Sequence, residues 1–219
     1  MNHKTYTQSA LVAVGAAVAA LLVSCASTPT AQQVDAATQQ VLKSSFREQG
    51  IASLDRLTQD ASNRACSEAA GAALDETQAK AIEAANLQTV KLPSDGKFIG
   101  SWAEGEKIAQ NGRGLTWSDK PGEANGGSCY NCHQISKAEL SFGSIGPSLY
   151  NYGKLRGVSD PASAASKPIV EYTWGKLWNS KAYNACSGMP RFGHAGILSE
   201  QQIRDVMALL LDPQSPVNQ

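Results

Sequence analysis

The 219-residue chain carries 19 basic and 19 acidic side chains, so it is formally neutral and lacks the basic excess of a nucleic-acid binder. Its 42% apolar and 17% charged residues describe a globular protein rather than a disordered or fibrous one. Only three His and three Met are present, so any metal chemistry must draw on very few donors, and the five Cys are an odd number.

Residues 10–23 form an uncharged apolar run behind a short polar start with Lys4. Fourteen residues are too few to span a bilayer, which needs about 20. The run is the apolar region of an export signal. It ends in Leu22-Val23-Ser24-Cys25, which resembles a bacterial lipoprotein box, so residues 1–25 are expected to be a lipoprotein-type signal with Cys25 lipidated. Export permits disulfides and places the mature chain in the periplasm, tethered to a membrane if Cys25 carries lipid. Ordinary cleavage after a small residue is the plainer alternative.

Residues 26–32 are a Ser/Thr/Pro/Ala/Gln-rich stretch expected to be a tether. Over 33–95, apolar residues at helical spacing (Val34, Val41, Leu42, Phe46; Ile51, Leu54, Leu57; Ala73 to Leu87) predict two or three amphipathic helices broken near Gly50 and Gly71. Packing and tethering suffice to account for this extension. Pro93-Ser94-Asp95-Gly96 is a turn and the expected boundary to a second domain over 96–219. There, helices are predicted over 105–110, 169–179 and 200–211, the last with a capping-box start at Ser199 and Gln202 and a buried stripe of Ile203, Val206, Met207 and Leu210. No alternating strand pattern occurs, so the fold is expected to be all-α.

Residues 129–133 read Cys-Tyr-Asn-Cys-His. This spacing lets Cys129 and Cys132 add to the two vinyl groups of one haem while His133 coordinates its iron. A thioredoxin-type pair would follow a strand, and a zinc site would need two further close donors, whereas Cys66 and Cys186 are isolated. The sixth iron ligand can come from Met189, His194, Met207 or Cys186. Met207 falls on an apolar helical stripe, while Met189, 56 residues after His133, lies in an irregular Ser-Gly-Met-Pro loop and is the expected ligand. Gly146-Pro147-Ser148-Leu149 follows His133 by 13 residues, and the Pro147 segment is expected to accept the imidazole Nδ1–H and fix its tautomer. After lipidation and haem attachment, Cys66 and Cys186 remain and are expected to pair; two buried free thiols are the alternative. Between His133 and His194 seven basic residues (Lys137, Lys154, Arg156, Lys167, Lys176, Lys181, Arg191) face three acidic ones, a balance that could steer an acidic partner.

Taken together, GEKIAQNGRGL (105–115), GGSCYNCHQ (126–134), GPSLYNYGKLRG (146–157), ACSGMPRFGHAGIL (185–198) and LLLDPQSPVN (209–218) resemble the X-subunit family of the bacterial sulfur-oxidation cytochrome complex SoxAX. The blocks Tyr152–Gly157 and Met189–Gly193 narrow the resemblance beyond cytochromes c in general. It implies a small class I-type cytochrome c domain with one covalent haem c, His133/Met189 ligation and an N-terminal helical extension. It also implies an electron-transfer, non-catalytic subunit of L-cysteine S-thiosulfotransferase. The implied partners are a haem-containing A subunit that joins thiosulfate to a cysteine of a carrier protein, and a downstream cytochrome c. A free-standing exported or membrane-tethered monohaem cytochrome c, and a haem-free thiol–disulfide protein, are the competing expectations.

Overall fold

The computed structural model describes residues 28–219, which are helical and irregular with no strand among them. The signal segment and Cys25 lie outside the described residues. The first helix, α1 (Ala31–Ser45), opens on a capping box in which Thr30 accepts from the Gln33 backbone and the Gln33 side chain accepts from that of Thr30. The helix therefore begins two residues inside the stretch expected to be a tether. It belongs to a unit of its own that ends at Phe46.

Residues 47–219 form one packed unit. The Pro93–Gly96 turn is present, closed by the Gly96 N–H donating to the Pro93 carbonyl at 3.0 Å, but packing does not divide there. Helices α2 (Ala61–Glu68) and α3 (Glu76–Leu87) are each started by an aspartate, Asp60 accepting from the Asn63 N–H and Asp75 from the Gln78 N–H. The expected breaks fall where Gly50 and Gly71 adopt positive φ. Neither helix buries much apolar surface; they attach to the rest of the unit through polar side chains and, for α2, through the Cys66–Cys186 disulfide.

The core is built by α4 (Trp102–Gln110), α5 (Tyr152–Leu155), α6 (Lys167–Trp178) and α7 (Glu200–Leu211). Helices α4 and α7 cross so closely that a Cβ on Gly105 would overlap the Asp205 carbonyl, so glycine is required there. Gly100 N–H donates to the Arg204 carbonyl and Ser101 N–H to the Asp205 carboxylate, both at 2.9 Å, tying the start of α4 to α7. Ser101 caps the helix by accepting from the Glu104 N–H, which is why α4 begins three residues before the predicted Gly105.

Helix α7 has the predicted bounds and capping box. Its predicted stripe is buried, but so are Ala208, Leu209 and Leu211. The C-terminal turn Pro216–Asn218 covers the face that periodicity leaves to solvent. Asn218 accepts there from the Gly153 and Lys154 N–H groups and donates to the Leu210 carbonyl at 3.0 Å. Trp174 is fully buried, packs edge-on against Phe98 at 5.4 Å and stacks on Trp178 at 5.9 Å.

Candidate haem site

Cys129–Asn131 form a 3-10 turn entered through Ser128, which sits in the left-handed region at φ 51°. The segment before it is laced to the end of α4: Gly127 N–H donates to the Ile108 carbonyl and Ser128 N–H to that of Asn111. Both thiols are free of disulfide bonds. Burial pushes the Cys129 thiol up to about 12, with the carboxylate of Glu106 adding to the effect. Glu106 accepts from the Tyr130 hydroxyl at 2.9 Å, and burial followed by this bond raises the tyrosine pKa strongly.

His133 follows directly, its N–H donating to the Cys129 carbonyl at 2.9 Å. Its Nδ1 lies 2.7 Å from the Pro147 carbonyl oxygen. Because a carbonyl only accepts, Nδ1 is the protonated nitrogen, and Nε2 keeps its lone pair for a metal. A Cβ on Gly146 would overlap the imidazole, so glycine is what lets the ring lie against the loop backbone. The loop is held to the motif by three backbone bonds: Gly143 N–H to Tyr130, Gly146 N–H to Cys132 and Leu149 N–H to Gln134, at 2.7–2.8 Å. It also presents Leu140 and Ile145 with 94% and 87% of their surface exposed, an unusual display for large aliphatic side chains.

Met189 is half-buried, packed against the edge of the hydrophobic core. The Ser180 hydroxyl donates to its carbonyl at 2.6 Å. Of the other sixth-ligand candidates, Met207 is fully buried in α7 and Cys186 is bonded to Cys66, with Cα atoms 5.5 Å apart. His194 lies at the surface; partial burial and then the Arg191 charge lower its pKa, with Asp60 opposing.

Two free thiols across one turn, a histidine oriented through Nδ1, a thioether at the core edge and an exposed apolar loop are a donor set that fits a covalently attached haem. A cytochrome c family model matches residues 103–212. This chain belongs to the cytochrome c family. Its cofactor is haem c, and the fold is the all-α one expected of a class I cytochrome c. The cytochrome is also 36% identical over 131 residues to an uncharacterized lipoprotein of Aquifex aeolicus (strain VF5). That match covers 59% of the cytochrome and 58% of the relative's length. Among the described residues no helix is long and apolar enough to cross a membrane.

Several residues that shape the site carry no motif. Asn179 is fully buried, and its side chain donates to Asn86 Oδ1 and Thr89 Oγ1, both at 2.9 Å. The Trp174 and Trp178 indoles donate to the carbonyls of Lys91 and Thr89. The four-residue spacing of the two tryptophans puts them on one helix face, which the sequence shows; their carbonyl partners more than 80 residues earlier it does not.

Proposed function

We propose that this cytochrome is the electron-transfer, non-catalytic subunit of a SoxAX-type L-cysteine S-thiosulfotransferase. In that role it accepts electrons from the A subunit and passes them to a downstream cytochrome c. The observation that carries the proposal is that one chain furnishes both a histidine with Nε2 free and a thioether loop, within sequence blocks that resemble the X-subunit family. With His133 and Met189 both holding its iron, a haem would keep no position for a substrate, which suits electron transfer rather than bond making.

When bound, haem c supplies a one-electron couple. Cys129 and Cys132 would hold its periphery, and His133 Nε2 and Met189 Sδ its iron. The Pro147 carbonyl holds the imidazole proton on Nδ1, which fixes the ring and makes Nε2 the better donor. Arg156 stacks over the Tyr152 ring at 3.7 Å and donates to its carbonyl, closing the Tyr152–Gly157 block on itself.

Joining thiosulfate to a carrier cysteine forms one S–S bond, breaks one S–H bond, and releases a proton and two electrons. A monohaem subunit must therefore work beside a second redox centre and be emptied by a further cytochrome. Exposed Leu140 and Ile145, with exposed Lys137 in the same segment, are the surface offered to such partners; the expected basic steering face is reduced, because Lys181 is buried and Arg191 is paired with Asp60. Export, with attachment through a lipidated Cys25, accords with the lipoprotein name of the Aquifex relative. Stopped-flow spectroscopy on the purified holoprotein tests the assignment. Thiosulfate should reduce it only when the A subunit and carrier thiol are added. Rapid reduction of the lone chain, or failure to co-purify with a thiosulfate-conjugating haem protein, would overturn it in favour of an independent carrier.

A further inference from the structure

We propose that residues 60–91 act as a brace that positions the loop carrying Met189, with Asn86 as its central positioning residue. The brace presupposes Met189 as the sixth iron ligand.

Residues 179–191 contain only the 3-10 turn Ser180–Ala182 and isolated turns; their internal bonds, Ser180 Oγ to the Met189 carbonyl at 2.6 Å and the Met189 N–H to Ser187 Oγ at 3.3 Å, tie Met189 to the loop but not the loop to the rest of the fold. Restraint arrives from the extension through five contacts at four residues of the loop. At its start, Asn179 bonds to Asn86 and to Thr89. In its middle, Cys186 is bonded to Cys66, and Glu83 accepts from the Ala185 N–H at 3.1 Å. At its end, Arg191 pairs with Asp60 at 2.6 Å. Both ends and the centre of the loop are thus pinned by helices α2 and α3, and Ser180 passes the constraint to the Met189 carbonyl.

Asn86 is the hub. It is 5% exposed, and its amide nitrogen donates to the Ser62 hydroxyl at 2.9 Å and the Ile82 carbonyl at 2.8 Å while its oxygen accepts from Asn179. One side chain therefore locks α2, α3 and the Met loop, and a buried network of this kind loses more than one bond when a member is removed. A thioether is a weak neutral donor, so its hold on iron depends on how much of the time the loop keeps it in place. A loop that opens more often shows as tighter binding of a competing ligand, in proportion to the open fraction.

Imidazole titration of the ferric full-length holoprotein reads that fraction, with the methionine-to-iron charge-transfer band and far-ultraviolet circular dichroism recorded alongside. Asn86→Ala should bind imidazole at least about tenfold more tightly than wild type, the factor expected for loss of even one of its buried polar contacts. In denaturant it should lose the charge-transfer band before its helicity, and Lys80→Ala, on the exposed side of α3, should match wild type. Glu83→Ala, which removes a single peripheral acceptor, gives the same reading with a smaller shift if Asn86→Ala does not fold. Unchanged imidazole affinity in the folded variants, or a shift that only tracks the fall in global stability, would overturn the brace. A wild-type protein without the charge-transfer band would overturn Met189 as ligand, and the brace with it.

Discussion

The histidine segment and the methionine segment proposed to hold the haem iron are fixed by different means. On the histidine side, Cys129 to Leu149 makes most of its own restraints, the His133–Pro147 bond and three backbone bonds closing within a few turns of chain, with Tyr130 adding one to Glu106 only 24 positions away. On the methionine side, residues 179–191 borrow theirs from Asp60, Cys66, Glu83, Asn86 and Thr89, some 90 to 130 positions away. A short-range site is specified by spacing and survives changes elsewhere, whereas the long-range one depends on the extension being docked. The extension thus makes specific long-range contacts to this loop, which its composition did not show.

The sharpest test of the local side is chemical. Replacing Cys129 and Cys132 by Ala should abolish covalent haem altogether, seen as loss of haem absorbance in the denatured, acid-acetone-extracted protein. Wild-type protein that gives up its haem to that extraction would break the picture of a self-contained attachment segment.

Next in size is the joint between the two regions. Trp174 is fully buried and donates to the Lys91 carbonyl at 2.8 Å, so Trp174→Ala should destabilise the fold by about 3–5 kcal/mol in denaturant unfolding. The spectrum of any folded fraction should change on the methionine side first.

The disulfide comes third. Converting Cys66 and Cys186 together to Ser opens a loop 120 residues long and should lower stability by about 2–4 kcal/mol. Thiol counting on unfolded, unreduced wild-type protein should find neither of these cysteines free; two extra thiols would mean that the bridge does not form in solution.

The smallest effect is electrostatic. Burial alone would raise the Asp60 carboxyl, but the Asn63 N–H and the Arg191 guanidinium outweigh it and hold the pKa below the ordinary carboxylate value. A depressed pKa stabilises the fold above the unfolded-state value, and this contribution disappears as pH falls through the folded-state value. Asp60→Asn keeps an N-cap acceptor for α2 and removes only the charge. Its melting temperature should therefore lie slightly below wild type at about pH 6 and converge with it towards about pH 2. No offset at any pH would assign Asp60 to capping alone.

What the sequence determined by itself is whatever rests on local spacing. Cys-Tyr-Asn-Cys-His with Gly-Pro 13 residues later is legible because both partners of each restraint lie in one short segment. The bounds of α7 are legible because Ser199 and Gln202 cap their own helix, and the breaks at Gly50 and Gly71 because positive φ is a property of the residue. Eliminating the other cysteines even pointed to the Cys66–Cys186 pair. Only the tertiary structure decided that α2 and α3 belong to the same packed unit as the haem domain, that α7 is buried nearly all round, and that Asn86 and Asn179 meet. Those outcomes depend on which distant surfaces come together, and a buried amide in an alanine-rich helix looks like any other polar residue until its partner arrives from 93 positions away.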